Sequence, residues 1–126
     1  DVVRAARRAG VEPSLILSSP YRRAMETARI AADEFAWKGD IIRSSALTPA
    51  KSPEEVWTEL RDYRKEPAVL LASHEPLLGR LVAHLLSSPA LRVEMKKAAM
   101  VRIDVENSGP VPRGTLCWML TPKLCP

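Results

Sequence analysis

The sequence has 126 residues, enough for one domain with a real hydrophobic core. Its hydrophobic fraction of 46% and charged fraction of 27% are ordinary for a globular domain. No apolar run approaches the ~20 residues that a membrane-spanning helix needs. The formal net charge of +4 favours a small anionic ligand. The basic residues are scattered and not interleaved with aromatic ones, so we expect neither a nucleic acid nor a membrane as partner.

The N-terminal third of the chain predicts a helix, a strand and a second helix. Residues 1–9 favour a helix that Gly10 ends. The apolar run at 15–17 is typical of a buried strand. Residues 21–37 predict a long helix, because their small and apolar side chains recur on one face.

The second helix has a recognisable start. Ser19 is a good N-cap and Pro20 a good first helical residue, so we expect the helix to begin there. Residues 38–51 then read as a loop. Ser52 and Glu55 have the capping-box spacing, which predicts another helix to about Arg64.

The C-terminal half predicts a strand, a helix and a hairpin. Residues 68–73 are typical of a second buried strand, and residues 74–76 open a helix that ends before Pro89. The alternating segments 100–105 and 115–120 flank a Gly/Pro-rich turn at 108–114, a pattern that favours a β-hairpin.

The cysteine content suggests a reducing environment. Cys117 and Cys125 match no metal or redox spacing. We therefore expect a cytoplasmic protein, with Cys117 as a small core residue and Cys125 as an incidental thiol in the tail.

Strands that alternate with helices predict a single α/β domain over residues 1–126. We expect a three-layer α/β/α architecture with a mainly parallel sheet and the hairpin at one edge. In such sheets ligands bind beyond the carboxyl ends of the strands. Two strand ends carry chemistry here, at residues 18–20 and 73–76, and we expect them to be neighbours.

The first strand end suits an anion. Free backbone N–H groups at a helix start attract negative charge, and an arginine in the first turn can hold phosphate with two hydrogen bonds. Arg22 and Arg23 are both candidates. They point about 100° apart on a helix, so one of them faces the site, and helix geometry does not decide which.

The second strand end presents His74 at the same edge. A histidine between an apolar strand and a helix start is not a usual core position, and its imidazole can bind an anion or titrate near neutral pH. His84 lies inside the following helix, near its apolar face, and is interpreted as structural.

Together these segments resemble the histidine phosphatase superfamily. SPYRRAMETA at residues 19–28 is similar to that family's S-P-x-x-R-A-x-x-T-A segment, and LASHEP at 71–76 is similar to its strand-and-histidine segment. Segments 47–49, 96–100 and 114–122 are similar in order and spacing to the branch of SixA-type phosphohistidine phosphatases. The resemblance covers nearly the whole chain.

The resemblance implies a metal-independent phosphatase without a cofactor. A histidine in an N-terminal R-H-G motif attacks the phosphoryl group, and water then cleaves the phosphohistidine. By motif position, Arg23 is a phosphate-binding and catalytic arginine, His74 is the second catalytic and phosphate-binding histidine, and Ser19 belongs to the phosphate site. The implied substrate is phosphohistidine in a protein, with a small phosphoester as a variant.

Two features depart from the family pattern. These 126 residues contain no R-H-G motif, so we expect the natural protein to carry it on a strand before Asp1, and this chain alone to be inactive. The alternative is a non-catalytic phosphate-binding or scaffold module of the same fold.

Residues 46–51 hold no carboxylate of the kind found in phosphoglycerate mutases, which argues against a sugar-phosphate mutase. Glu75 is the nearest other acid, but a first-turn glutamate is better explained by the helix dipole.

Overall fold

The computed structural model describes residues 2–106 and 109–125. It has mixed α/β architecture, as the sequence predicts. In chain order the elements are α1 (Val2–Arg8), β1 (Leu15–Ser18), α2 (Arg22–Glu34), β2 (Ile41–Arg43), α3 (Pro53–Asp62), β3 (Val69–Ala72), α4 (Leu77–Leu85), β4 (Met100–Glu106) and β5 (Arg113–Leu120). Within the described ranges, no helix is both long enough and apolar enough to span a bilayer.

The central sheet has three parallel strands in the order β2-β1-β3. Strand β1 lies in the middle, where Ile16 pairs with Ile41 on one side and Leu70 on the other. The prediction that the segments at 15–18 and 68–73 are neighbouring parallel strands is therefore confirmed. All three strands end at the same edge of the sheet.

Helices cover both faces of this sheet. On one face the small residues of α2 pack on Ile16 of β1. On the other face Val56 and Trp57 of α3 and Leu81 of α4 pack around Leu17. Because successive residues of a strand point to opposite faces, Ile16 and Leu17 serve different halves of the core. Both are almost completely buried, at 0% and 1% exposure.

Strands β4 and β5 form the predicted hairpin, with one difference in its position. Within the described residues the hairpin is a separate two-stranded antiparallel sheet and is not hydrogen-bonded to the parallel one. Side chains attach it to the domain: Trp57 Nε1 donates to the Gly109 carbonyl at 2.9 Å, and the Ser87 hydroxyl donates to the Pro112 carbonyl at 2.6 Å. Ser108, the first residue of the predicted turn at 108–114, lies outside the described residues.

The expectation of a core position for Cys117 is wrong. The register of the hairpin shifts between Arg102 and Ile103, which pair with Trp118 and Leu116. Cys117 is therefore the extra residue of a β-bulge, and its side chain is exposed.

One strand and several element boundaries differ from the sequence-based ones. Strand β2 was predicted as loop, because three residues are too few to show a strand pattern. Helix α2 ends at Glu34 instead of residue 37, and Ala36 beyond it has a φ of 54°. Helix α4 begins at Leu77, so residues 74–76 precede the helix.

Two predicted helix ends are confirmed. Gly10 follows α1 with a φ of +91°, the left-handed conformation that glycine adopts most readily. At the start of α3, the Ser52 hydroxyl accepts from the Glu55 backbone N–H at 3.3 Å, and the Ser52 N–H donates to the Glu55 carboxylate at 3.3 Å. Asp1, the first residue of the predicted helix at 1–9, lies outside the described residues.

Candidate active site at the carboxyl edge of the sheet

The three parallel strands bring polar residues together where they end. The Ser19 N–H donates to the Ala72 carbonyl at 2.9 Å, and the Ser44 N–H donates to the Ser18 carbonyl at 2.8 Å. These backbone bonds continue the pairing of β1 with both neighbours for one more residue. The connections after β1 and β3 therefore leave the sheet side by side.

Ser19 and His74 meet at this edge, as the sequence predicts. His74 Nε2 and Ser19 Oγ are hydrogen-bonded at 2.8 Å, although the residues are 55 positions apart in the chain. Ser19 is completely buried, at 0% exposure, whereas His74 is only partly buried. The buried hydroxyl thus fixes the orientation of an imidazole that solvent and ligands can reach.

Ser19 has a different role from the one predicted for it in helix α2. The helix begins at Arg22, and the residue before it, Tyr21, is its N-cap. The Ser19 hydroxyl accepts a hydrogen bond from the Tyr21 N–H at 3.2 Å, which closes a turn ahead of the helix. Ser19 as N-cap and Pro20 as first helical residue were therefore wrong by two positions, because the serine side chain stabilises the turn and binds His74.

Tyr21 makes a second contact with His74. The two rings are 5.3 Å apart between centroids and inclined by 61°, an edge-to-face arrangement. Burial lowers the pKa of His74 below its ordinary value of 6.5. The imidazole is therefore mostly neutral at pH 7 when no anion is bound. An anion next to the ring would favour the charged form again.

The two arginines at the start of α2 differ in their partners. Arg22 Nε lies 3.1 Å from the Glu26 carboxylate, one helical turn further on. Among the described residues, the exposed Arg23 side chain has neither an ion pair nor a hydrogen-bond partner. Arg22 is thus engaged on the helix surface, while Arg23 is available to a ligand.

Several residues around this edge were not identified from the sequence. The Ser73 hydroxyl donates to the Leu47 carbonyl at 2.6 Å and holds the turn after β2 against the end of β3. The buried Ser44 hydroxyl donates to the Glu59 carboxylate of α3. Ser73 could have been found from its position next to His74. Arg43, the exposed last residue of β2, gave no signal because the strand itself was not predicted.

Glu75 and His84 lie at the two ends of helix α4, and both are interpreted as structural residues. One Glu75 carboxylate oxygen accepts from the Gly79 backbone N–H at 2.7 Å, so the side chain stabilises the first turn of α4. His84 is in the last turn of α4, about 10 Å or more along the helix from its start. Its Nε2 atom is buried and has no hydrogen-bond partner among the described residues.

Comparison with known proteins supports a relationship in fold. No family model matches the chain, and no curated protein does. Among solved structures, the protein histidine phosphatase SixA complexed with tungstate superimposes with a TM-score of 0.80 and 26% sequence identity. The fold is similar to that of a histidine phosphatase. The match covers 96% of this chain and 76% of the SixA chain.

In this chain a three-stranded parallel sheet lies between helices, with a separate antiparallel hairpin beside it. This mixed α/β fold matches that of SixA. Within the described residues, no three or more His, Cys, Asp or Glu side chains come together in a group that could hold a metal ion. The groups that meet at the carboxyl edge are a hydroxyl, an imidazole and the first turn of a helix that carries arginine.

Proposed function

We propose that this chain is the larger part of a phosphatase that removes phosphate from phosphohistidine in proteins. The nucleophile of the proposed reaction is a histidine in an R-H-G segment outside these 126 residues. The observation that carries the proposal is the bond between Ser19 and His74 at the carboxyl edge of the sheet. The likeness to SixA, a protein histidine phosphatase by name, supports it.

The residues of this edge fit a phosphoryl group. Arg23 supplies a permanently charged planar fork, which suits two phosphate oxygens at once. The His74 ring, oriented by Ser19, supplies a hydrogen bond and becomes a cation when a phosphate dianion approaches. The first N–H groups of α2 add a partial positive charge. The SixA structure contains tungstate, an oxyanion, which is the class of ligand proposed here.

The proposed chemistry has two steps. The nucleophilic imidazole nitrogen attacks phosphorus, the phosphorus–nitrogen bond to the substrate breaks, and the departing imidazole takes up a proton. Water then attacks the phosphohistidine, which releases inorganic phosphate and the free enzyme. Arg23 and His74 stabilise the negative charge that develops on the equatorial oxygens in both steps. Because these groups supply positive charge, we propose that the reaction needs no metal.

The surroundings support a nitrogen leaving group and a large substrate. Residues 46–51 contain no carboxylate that could protonate an alkoxide, whereas imidazole leaves more readily. Only six residues separate α3 from β3, so this connection provides no lid over the edge. An open edge suits a phosphorylated protein in a cytoplasmic compartment, and a small phosphoester is the variant to test against it.

Oxyanion binding by the 126-residue chain tests the site directly. Arg23→Ala should weaken tungstate or phosphate binding by ~1.5–3 kcal/mol, the range for a hydrogen bond to a charged group, or roughly 10- to 150-fold. Arg22→Ala is the matched control and should change binding little, because Glu26 already engages Arg22. Isothermal titration calorimetry measures both, and equal effects would contradict the assignment of Arg23.

Catalysis is tested on the natural chain with any R-H-G segment included. Brief reaction with a phosphohistidine peptide should leave an acid-labile phosphoenzyme, and a chelator should not change the rate. His74→Ala should reduce turnover by about 10²–10³-fold, as for loss of one charge-stabilising group. Oxyanion binding without a phosphoenzyme would favour the scaffold module instead. Robust turnover by the 126-residue chain alone would contradict the proposed nucleophile.

A further inference from the structure

Tyr21 is an aromatic residue that the fold leaves open to solvent at the candidate site. The chain has three Trp, two Tyr and one Phe, all within the described ranges. Tyr21 is 54% exposed, whereas the others are buried or half-buried: Phe35, Trp37, Trp57, Tyr63 and Trp118. A single exposed apolar side chain is ordinary on a protein surface. This ring differs because it lies against His74, where a ligand is proposed to bind.

The position of Tyr21 is fixed by the groups that form the candidate site. Its backbone N–H donates to the Ser19 hydroxyl at 3.2 Å, and the same hydroxyl is bonded to His74 Nε2 at 2.8 Å. The rings of Tyr21 and His74 are 5.3 Å apart between centroids. The tyrosine ring is therefore placed before a ligand arrives, and little ordering is left to oppose binding.

Part of the tyrosine ring remains available to a ligand. The contact with His74 is edge-to-face, with the two planes inclined by 61°, so it occupies only one side of the Tyr21 ring. Among the described residues, no hydrogen bond holds the Tyr21 hydroxyl. The exposure of 54% agrees with an open apolar face. Such a face suits another flat ring, since aromatic pairs are favourable at centroid distances of about 4.5–7 Å.

The proposed substrate brings a flat ring to this place. In phosphohistidine the imidazole is bonded directly to phosphorus. A phosphoryl group that contacts His74 therefore brings its leaving ring close to a tyrosine ring 5.3 Å from that histidine. Arg23 and His74 contact only the phosphoryl oxygens in the proposed reaction, so they do not distinguish one leaving group from another. A residue that selects the substrate must contact the leaving group itself.

We infer that Tyr21 is a specificity-determining residue, whose open face packs on the imidazole ring of the substrate phosphohistidine. It favours this aromatic leaving group over an aliphatic one. The inference rests on the proposed function, because that function supplies the substrate. The selection of an aromatic group follows from the exposure of Tyr21 and from its fixed position beside His74.

Two phosphonates test the selection on the 126-residue chain. Phenylphosphonate and cyclohexylphosphonate carry the same anionic group on rings of similar size, and only the phenyl ring is flat and aromatic. Calorimetry should show phenylphosphonate binding about three- to tenfold more tightly, the range for one aromatic pair. Tyr21→Leu should bring the two affinities together, and Tyr21→Phe should keep the preference. Equal affinities in the unmodified chain, or an unchanged preference in Tyr21→Leu, would overturn the inference.

The affinity ratio separates selection from the other contacts of Tyr21. Because this residue also covers His74, any effect of Tyr21→Leu through the imidazole acts on both phosphonates alike and cancels in the ratio. Ile30→Ala is the matched control, since Ile30 is 63% exposed and lies about 12 Å along α2 from Arg22. This variant should keep the preference for phenylphosphonate. Loss of the preference in Ile30→Ala as well would contradict a specific role of Tyr21.

Kinetics on the natural chain, with any R-H-G segment included, test the substrate itself. One peptide is prepared with phosphohistidine and again with phospholysine, so that both forms have a phosphorus–nitrogen bond and one has the ring. Tyr21→Leu should reduce kcat/KM for the phosphohistidine form about three- to tenfold more than for the phospholysine form. Equal reductions would overturn the inference.

Failure of the inference and failure of the proposed function give different results. If neither phosphonate binds, or the natural chain turns over neither peptide, the proposed function fails. If both phosphonates bind equally and both peptides are turned over with equal sensitivity to Tyr21→Leu, the phosphatase stands and Tyr21 does not select its substrate.

Discussion

The two edges of β3 differ sharply. Toward β1 every residue of the strand has a register partner, and the pairing continues beyond the strand to Ser19. Toward β4 the strand faces an apolar cleft of about 750 Å³, which side chains of β3 and β4 line. On this side Val69, Leu70 and Leu71 remain only half-buried. The completed edge of β3, toward β1, holds the candidate site. The open edge of β3, toward β4, holds none of the polar groups of that site. The difference teaches that the candidate site is assembled where β1 and β3 pair, and not where β3 faces the cleft.

The largest expected effect is on the free energy of unfolding, and it comes from truncating core residues at the two edges of β3. Leu17 and Leu71 are register partners whose side chains pack in the same half of the core, but Leu71 also lines the cleft. Leu17→Ala should lower the free energy of unfolding by about 2–5 kcal/mol, as for truncation of a buried leucine. Leu71→Ala should cost less than half as much, because its side chain is already partly solvated. Urea denaturation measures both variants, and equal losses would mean that the cleft is not open in solution.

Ser19→Ala tests the completed edge. The substitution removes the partner of both the His74 ring and the Tyr21 N–H, so we expect a loss of about 1–3 kcal/mol in the free energy of unfolding. Tungstate binding should also weaken, since the imidazole is no longer oriented. Ser88→Ala serves as control, because Ser88 is exposed and bonds only within its own turn. If Ser19→Ala destabilises the chain but leaves tungstate affinity unchanged, Ser19 is structural only.

The smallest expected effect is on the titration of His74. Because burial lowers its pKa, the unfolded chain binds this proton more readily than the folded one. The free energy of unfolding should therefore decrease as pH falls below 6.5, the ordinary value, and through the lower pKa of the folded state. NMR titration should show the pKa rising toward 6.5 in Tyr21→Ala, since the tyrosine ring covers the imidazole. Tyr21→Phe keeps the ring and should leave the pKa unchanged.

Much of the fold could be predicted because its pattern is local. The apolar runs of β1 and β3 and the capping box at Ser52 are visible in the sequence. Strand β2 was missed, since three residues form a strand only because β1 offers an edge to pair with. The separation of the hairpin from the sheet could not be predicted, because the alternating pattern of β4 and β5 shows that they pair with each other but not what either strand meets on its other side.

The candidate site was predicted in part. Ser19 and His74 were found because each follows a buried strand, and parallel strands end at the same edge. The choice between Arg22 and Arg23 depended on a resemblance and stays a prediction, because both side chains are exposed and the ion pair of Arg22 with Glu26 lies on the helix surface. Tyr21 was not assigned a role, since its contact to His74 is tertiary and leaves no periodic signal.

The sequence distance between Ser19 and His74 bears on how the molecule folds. Helices form from local contacts, within microseconds or less in isolated peptides. The bond between the two residues instead closes a loop of 55 residues, and it forms only when β1 and β3 pair along their whole length. Contacts this distant in sequence slow folding, because the entropy of loop closure is lost before they form. A partly folded chain with all its helices would therefore still lack the proposed oxyanion site, and we expect tungstate binding to report the completion of folding.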